Sequence, residues 1–344
     1  MVLILTEDNE HSVDKVIDWL AYFHIPFIRL NREEPVSFEC FTLGKERLSH
    51  SIMFLKGGQE IDFREIDSYW YRRGQLILEE EEGCLLNEQA SLTPDIRNYL
   101  HQERSALEQA AYYWLEQHTR KALGSFSDIH LNKLRTLYEA QAVGFAVPET
   151  LITTSRKMTL DYHRTCKDSG FGIITKAIRD TPYLLMDGNL QMAYTELVGE
   201  EDIGLKASRF FPSLFQKEIK KKYDLRIFYL CGKLYGMAIL SQAHYQTATD
   251  FRKYLYQRPN RQVPFELPER EQQKLVLLMN RLNLQTGSVD LILGEDNRYY
   301  FLEVNPLGQF GMLCNPCNYN LYQQIALCLS EPLTSSYGSP QQEG

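Results

Sequence analysis

Asp290, Glu303 and Asn305 lie within TGSVDLILGEDNRYYFLEVNP (286–306), where two apolar, β-branched and aromatic runs flank Gly294-Glu295-Asp296-Asn297. That pattern predicts a β-hairpin. Pairing across the turn brings Asp290 opposite the strand end that carries Glu303 and Asn305, so two carboxylates and an amide oxygen converge. A hard cation relieves the repulsion of such a set. Mg²⁺ takes a few protein oxygens and completes its octahedron with waters and the phosphates of a nucleotide. An exposed acidic hairpin that binds no metal has the same sequence signature.

Other polar residues point the same way. Lys176 ends the apolar run 173–176, and an ammonium there is costly to bury without an anion beside it. It is a candidate phosphate ligand, with Lys133 on a preceding helix as a second cation. Gln216, Lys217, Glu218 and Ile219 fall between two predicted halves of a nucleotide domain; a purine there hydrogen-bonds to backbone and amide and packs on Ile219. Asp224 and Arg226 share one face of a predicted strand, because the side-chain period is two. A structural cross-strand ion pair explains them equally well. Arg72 and Arg73 follow the apolar strand 68–71, where they either grip carboxylates through bidentate hydrogen bonds or offset Glu79 to Glu82 as a solvated pair. Arg252, with Lys253, Arg258 and Arg261, makes a basic stretch in an acidic chain, either a surface loop or the grip on an anionic substrate.

These residues need an α/β framework. Val2 to Leu5, Ser12 to Phe23 and Pro26 to Leu30 read as β-α-β, the usual start of a small parallel sheet. Strands follow at 36–43, 51–55 and 68–71. Residues 87–124 read as one long helix or a pair. Ser127-Asp128 caps a helix over 131–143 that Gly144 stops, and Pro148 leads into the strand 150–153. A helix over 156–167 and the strand 173–176 come next. Residues 183–186 and 191–196 are predicted to pair across Asp187-Gly188-Asn189 and to lie over bound phosphates. Residues 212–219 are a short strand or linker, 223–230 and 233–240 a hairpin around Cys231-Gly232, and 268–282 a helix. Gly308, Gly311 and Pro316 make a loop, 319–329 a last amphipathic helix, and 331–344 a disordered tail.

Composition sets the outer limits. The chain has 344 residues, 44% hydrophobic and 24% charged, enough for two or three sub-domains around sizeable cores. A net charge of -8 argues against a nucleic-acid partner, which calls for a basic face. The N-terminus lacks the features of a signal peptide and no run is long enough to span a membrane, so a cytosolic protein is expected. Seven scattered cysteines fit a reducing compartment. Cys314 and Cys317 form a CxxC without a second pair or a nearby His, which reads against a zinc site.

Taken in order, Lys133, Lys176, the QKEI stretch, Asp224-Leu225-Arg226 and Asp290 with Glu303-Val304-Asn305 resemble the ATP-grasp ligases. The resemblance is strongest to the peptide-maturing, microviridin-type (graspetide) branch, including the maturases of grasp-with-spasm systems. YWYRRG (69–74), NKLRTLYEAQAVGFAVPET (132–150), YDLRIFYLCGKLYGMAILSQ (223–242) and SVDLILGEDNRYYFLEVNPLGQFG (288–311) carry it. It implies an α/β (α+β) chain with an N-terminal α/β pre-ATP-grasp domain at 1–124, ATP-grasp central and C-terminal subdomains at 125–212 and 213–330, and the tail at 331–344. ATP and Mg²⁺ are the implied cofactors. Acyl-phosphate activation of Asp or Glu side chains in a ribosomally made precursor peptide is the implied chemistry, followed by attack of Thr, Ser or Lys to close ω-ester or ω-amide macrocycles. The resemblance assigns Lys133 and Lys176 to phosphates, Gln216, Lys217, Glu218 and Ile219 to adenine, Asp290, Glu303 and Asn305 to Mg²⁺, and Arg226 to the transferring phosphoryl with Asp224 orienting it. Arg72, Arg73, Ser241, Gln242 and Arg252 fall to the peptide. A homodimer is implied as well. The alternative is a carboxylate–amine ligase of the same fold acting on a small molecule or a protein terminus.

Overall fold

The computed structural model describes residues 1–38, 40, 53–56, 59–79, 93–127, 131–179, 183–186, 189–192, 194–243 and 260–330. Arg252 and the tail at 331–344 lie outside them. The chain forms two compact units, one of residues 1–129 with 320–344 and one of residues 130–319.

In the first unit, β1 (Val2–Thr6) is buried at every position, as expected of a parallel strand covered on both faces. It pairs in parallel with β2 (Phe27–Asn31) and with β6 (Ser68–Tyr71), and β7 (Lys121–Leu123) adds to β6. Between β1 and β2, α1 (His11–Tyr22) buries Val13, Val16 and Leu20, one apolar stripe at helical spacing. A small antiparallel sheet joins β3 (Ser37–Phe38), β4 (Met53–Lys56) and β5 (Gln59–Asp62). The long helix expected over 87–124 is shorter: α2 runs Pro94–His118, capped by Thr93. Residues 121–123 are β7 instead, because three residues are too few for periodicity to separate strand from helix.

The second unit begins with α3 (Lys133–Ala142). Asn132 caps it by accepting from the amides of Leu134 and Arg135, where the sequence reading had put Ser127-Asp128. Next are β8 (Thr150–Ser155), α4 (Arg156–Asp168), β9 (Ile173–Lys176), β10 (Tyr183–Met186), β11 (Asn189–Met192), β12 (Glu196–Val198), α5 (Glu200–Gly204) and β13 (Arg209–Lys217). One sheet has the order β12-β9-β13-β8, while β10 and β11 pair with each other. The expected strand over 191–196 is therefore split between β11 and β12, and of the two readings of 212–219, short strand or linker, the strand holds, most of it falling within the nine-residue β13.

After β13 come β14 (Lys221–Leu230), β15 (Lys233–Leu240), β16 (Arg261–Pro264), α6 (Glu269–Arg281), β17 (Thr286–Gly294), β18 (Tyr299–Asn305) and α7 (Gly311–Cys317). The second sheet is antiparallel, in the order β16-β15-β14-β17-β18. Cys231 and Gly232 both have positive φ, 47° and 88°, the geometry of a tight primed turn joining β14 to β15. One face of this sheet carries Leu225, Ile227, Val289, Leu291, Phe301 and Val304. They share a core with Leu137 and Ala140 of α3 and Leu275, Leu278 and Met279 of α6. Residues 311–317, read from sequence as loop, are helical. Pro316 falls in the last turn of α7, and Asn318 closes it in the left-handed conformation. Cys314 and Cys317 are buried free thiols on that helix. The last helix, α8 (Leu321–Ser330), belongs to the first unit and packs on α1 and β6. No described helix is long and apolar enough to cross a membrane.

Candidate active site

Two β-bulges set the site. Along β17 and β18, Leu291 pairs with Phe301 but Asp290 pairs with Glu303, so Leu302 is an extra residue. Without it, strict alternation from Phe301 would send Glu303 into the core with α3 and α6. The bulge reverses the phase, turning Val304 inward and Glu303 to the opposite face. On β14, Lys221 pairs with Gly294 and Tyr223 with Leu293, leaving Lys222 as the extra residue. Lys221 and Asp224, three apart, thereby share a face.

That face lines a cleft completed by the other sheet of the second unit. Asp224, Asp290, Ile292, Leu302 and Glu303 meet Ile174 and Lys176 of β9, Gln216 and Lys217 of β13, and the connecting Glu218 and Ile219. Asp290 stands opposite Arg226 as well as Glu303. Arg226 donates through Nε to Asp290 Oδ1 at 2.6 Å and through Nη2 to Oδ2 at 2.7 Å. Lys133, at the start of α3, pairs with Glu303 Oε2 at 2.9 Å. Lys221 Nζ reaches both oxygens of Asp224, at 2.8 and 2.9 Å, and the Ser241 hydroxyl donates to Asp224 Oδ2. Burial pushes the Asp224 carboxyl above its ordinary range, against the pull of Lys221 and Ser241. Gln242 Nε2 in turn donates to Ser241 Oγ. Asp224 is thus anchored by Lys221 and Ser241, whereas Arg226 takes its orientation from Asp290.

At the other end of the cleft, Glu218 is tied to the turn before β9. Its Oε2 accepts from the Gly172 amide at 3.1 Å and its own amide donates to the Gly172 carbonyl. A Cβ on Gly172 would come within 2.8 Å of that carboxylate. Lys217 lies over the Phe171 ring at 4.3 Å. Gln216 is 1% exposed, and among the described residues its Oε1 has no hydrogen-bond donor.

The donor set fits a nucleotide-borne Mg²⁺. Among the described residues no three His, Cys, Asp or Glu side chains form a metal cage, and Mg²⁺ held with phosphates requires only one or two carboxylates. Asp290 and Glu303, directly paired, supply two. Asn305 is opposite Ser288, and its Oδ1 accepts from the Leu307 amide at 3.0 Å, which fixes the side chain at the strand end.

Arg72 and Arg73 belong to the first unit, as does the carboxylate set they meet. Arg72 is 4% exposed, donates to Ser12 Oγ and has Nε 3.8 Å from Glu10. Burial lowers its pKa to about 10. Glu10 lies below its ordinary pKa, because the Ser12 hydroxyl, Arg72 and Arg73 outweigh its burial. Arg73 has φ 61°, an uncommon value for a residue with a side chain. It is more exposed and reaches Glu7 at 3.4 Å and Glu10 at 3.2 Å. Gly74 completes the turn because a Cβ there would stand 2.3 Å from the Leu5 carbonyl carbon. Their acidic partners are therefore in the β1–α1 connection.

Sequence reasoning missed Lys221 and the cross-strand partnership of Arg226 with Asp290. The three consecutive lysines 220–222 carried a signal, but only the bulge at Lys222 decides which of them turns inward.

No family model matches the sequence, and no curated protein does. Comparison with solved structures gives the chain the ATP-grasp fold. Macrocyclase MdnC from Microcystis aeruginosa MRC, bound with precursor peptide MdnA, superposes with a TM-score of 0.73 at 23% identity, covering 96% of this chain and 99% of that one. A RiPP-associated ATP-grasp ligase of Chryseobacterium gregarium, in complex with ADP and a leader and core peptide, gives 0.74 at 23% identity over 95% and 94%. Macrocyclase MdnB from Microcystis aeruginosa MRC gives 0.67 at 25% identity over 96% and 98%.

Proposed function

We propose that this protein is an ATP-dependent ligase that closes macrocycles in a ribosomally made precursor peptide. It activates Asp or Glu side chains as acyl phosphates and joins them to Thr, Ser or Lys side chains. The observation that carries this reading is the Asp290–Glu303 pair flanked by Arg226 and Lys133, in a cleft on a fold shared over nearly the whole chain with peptide macrocyclases.

In this reading Gln216, Lys217, Glu218 and Ile219 hold the base, and Lys176 and Lys133 the phosphates. Asp290, Glu303 and Asn305 hold Mg²⁺, which when bound screens the nucleotide's negative charge so that a carboxylate can approach it. A peptide carboxylate oxygen forms a bond to the γ-phosphorus as the bond to ADP breaks. Arg226, held flat by Asp290, meets the equatorial oxygens of the transferring group with its planar fork. The attacking hydroxyl or amine then adds to the acyl carbon, phosphate leaves, and one water is lost from the peptide per ring. Arg73, the more exposed arginine of the pair, together with Gln242, serves peptide groups. Ser241 acts through Asp224. A cytosolic homodimer belongs to the same reading.

The test is intact mass spectrometry of short candidate precursor peptides that contain Thr with Asp or Glu, after incubation with this protein, ATP and Mg²⁺. Loss of one water per ring with matching ADP release is the expected result. ADP release that needs free amino acids or a small acid, with the peptide unchanged, would replace this reading by a small-molecule ligase.

A further inference from the structure

We propose that Thr150 fixes the polarity of the Gln216 amide, so that the base end of the cleft accepts a hydrogen bond and selects a 6-amino purine over a 6-oxo purine. This rests on the nucleotide-binding reading above and adds a positioning residue to it.

Thr150 on β8 lies directly opposite Gln216 on β13. Its hydroxyl donates its single hydrogen to the Pro148 carbonyl at 2.8 Å. What Thr150 Oγ1 then offers Gln216 is lone pairs alone. Gln216 answers with Nε2, which donates to Thr150 Oγ1 at 2.9 Å. Turning the amide over would set two acceptors against each other. The chain Pro148–Thr150–Gln216 thus leaves Gln216 Oε1 as a buried acceptor in a side chain that lines the cleft, with no donor among the described residues.

A buried carbonyl oxygen without a donor is unfavourable, and a ligand amino group removes that penalty. The cleft also carries apolar side chains, Pro148, Ile174, Ile219, Ile292 and Leu302, able to pack on a flat ring. The exocyclic amine of adenine is a donor at position 6. Guanine and hypoxanthine present an oxygen there, which faces Gln216 Oε1 lone pair to lone pair.

The experiment is competition of ATP, ITP and GTP, each with Mg²⁺, against a fluorescent ATP analogue on the full chain. It compares the wild type, Thr150→Val, Thr150→Ser and Gln216→Leu. ITP is the sharp probe, since it differs from ATP at position 6 and in the hydrogen on the adjoining N1, and not in its ribose or phosphates. Wild type should bind ATP roughly tenfold or more tighter than ITP, the scale of an unpaired buried polar group. In Thr150→Val the amide is free to turn Nε2 toward the base, so the ATP:ITP ratio should fall toward unity as ATP weakens and ITP gains. Thr150→Ser should restore the ratio. Gln216→Leu should also lose it. A purely structural Thr150 would weaken both nucleotides by the same factor. An unchanged ratio in Thr150→Val or in Gln216→Leu therefore overturns the proposal, even when peptide-dependent ADP release shows that the ligase reading stands. A wild type that binds no adenine nucleotide overturns both.

Discussion

Replacing Lys221 by Met tests the buried half of the cleft without touching the groups that would meet phosphate. The Lys221 and Asp224 side chains are 5% and 6% exposed, so the substitution removes two charge-assisted hydrogen bonds and leaves Asp224 with Ser241. Breaking a buried pair by deleting one partner costs about 3 to 5 kcal/mol. The surviving Ser241 bond places this case at the lower end, at about 3 kcal/mol by the same rule. With a urea m-value of about 3 kcal/mol/M for a unit of this size, the midpoint should fall by about 1 M.

The pH dependence separates this electrostatic loss from a packing loss. Burial already holds the Asp224 carboxyl above its ordinary value of 3.8, and removing Lys221 raises it further. A carboxyl whose folded pKa is raised contributes stability that is fully present below its unfolded pKa and is lost as pH rises through its folded pKa. The deficit of Lys221→Met relative to wild type should therefore be largest near neutrality and shrink to about 1 kcal/mol as pH approaches that of the free carboxyl. Adding Asp224→Asn should recover part of the neutral-pH loss. Urea unfolding followed by circular dichroism at neutral and acidic pH measures it. An equal deficit at both pH values, or one below about 1 kcal/mol at neutrality, would refute the assignment of Lys221 as the partner of an ionised Asp224.

Three further outcomes are expected. Glu303→Gln should abolish Mg²⁺-dependent ADP release while changing the thermal midpoint little, because its pair with Lys133 is partly solvated and such pairs contribute about 1 kcal/mol or less; wild-type turnover would remove Glu303 from the site. Arg73→Ala should raise the KM for peptide at near-normal stability, whereas Arg72→Ala should destabilise the first unit by about 2 to 4 kcal/mol, because it empties the buried place its side chain fills beside Ser12 and Glu10. Steady-state kinetics beside thermal unfolding reads both, and an unchanged peptide KM in Arg73→Ala would remove it from the peptide path.

Much of the framework is legible in the sequence because it is local. The β1–α1–β2 opening follows from apolar spacing, and the β17–β18 hairpin from two β-branched runs around a turn. The order of charged motifs was enough to resemble ATP-grasp ligases, although no family model or curated protein matches the chain. What stayed hidden is non-local or below the resolution of a period. A bulge adds one residue and has no residue-type signature, yet those at Leu302 and Lys222 decide which way Glu303 and Lys221 point. Strand β7 is three residues long directly behind a long helix. The Arg226–Asp290 pair joins positions 64 apart, and strand register alone made Asp224 an equally good neighbour. Helix α7 contains Gly311 and Pro316 at its two ends, where each is tolerated although both read as loop.

The placement of α8 bears on how the chain is made. Leu321, Ile325, Ala326 and Leu329 are buried, and the hydroxyl of Ser68 on β6 donates to the Leu329 carbonyl across 261 positions of sequence. During synthesis the parallel sheet at the N-terminus emerges first but lacks the helix that covers this side of α1 and β6 until the whole of residues 130–319 has been translated. The nascent chain must therefore carry an unfinished apolar surface while residues 130–319 are being made. That makes the early intermediate, more than the finished fold, the species in which self-association has to be avoided.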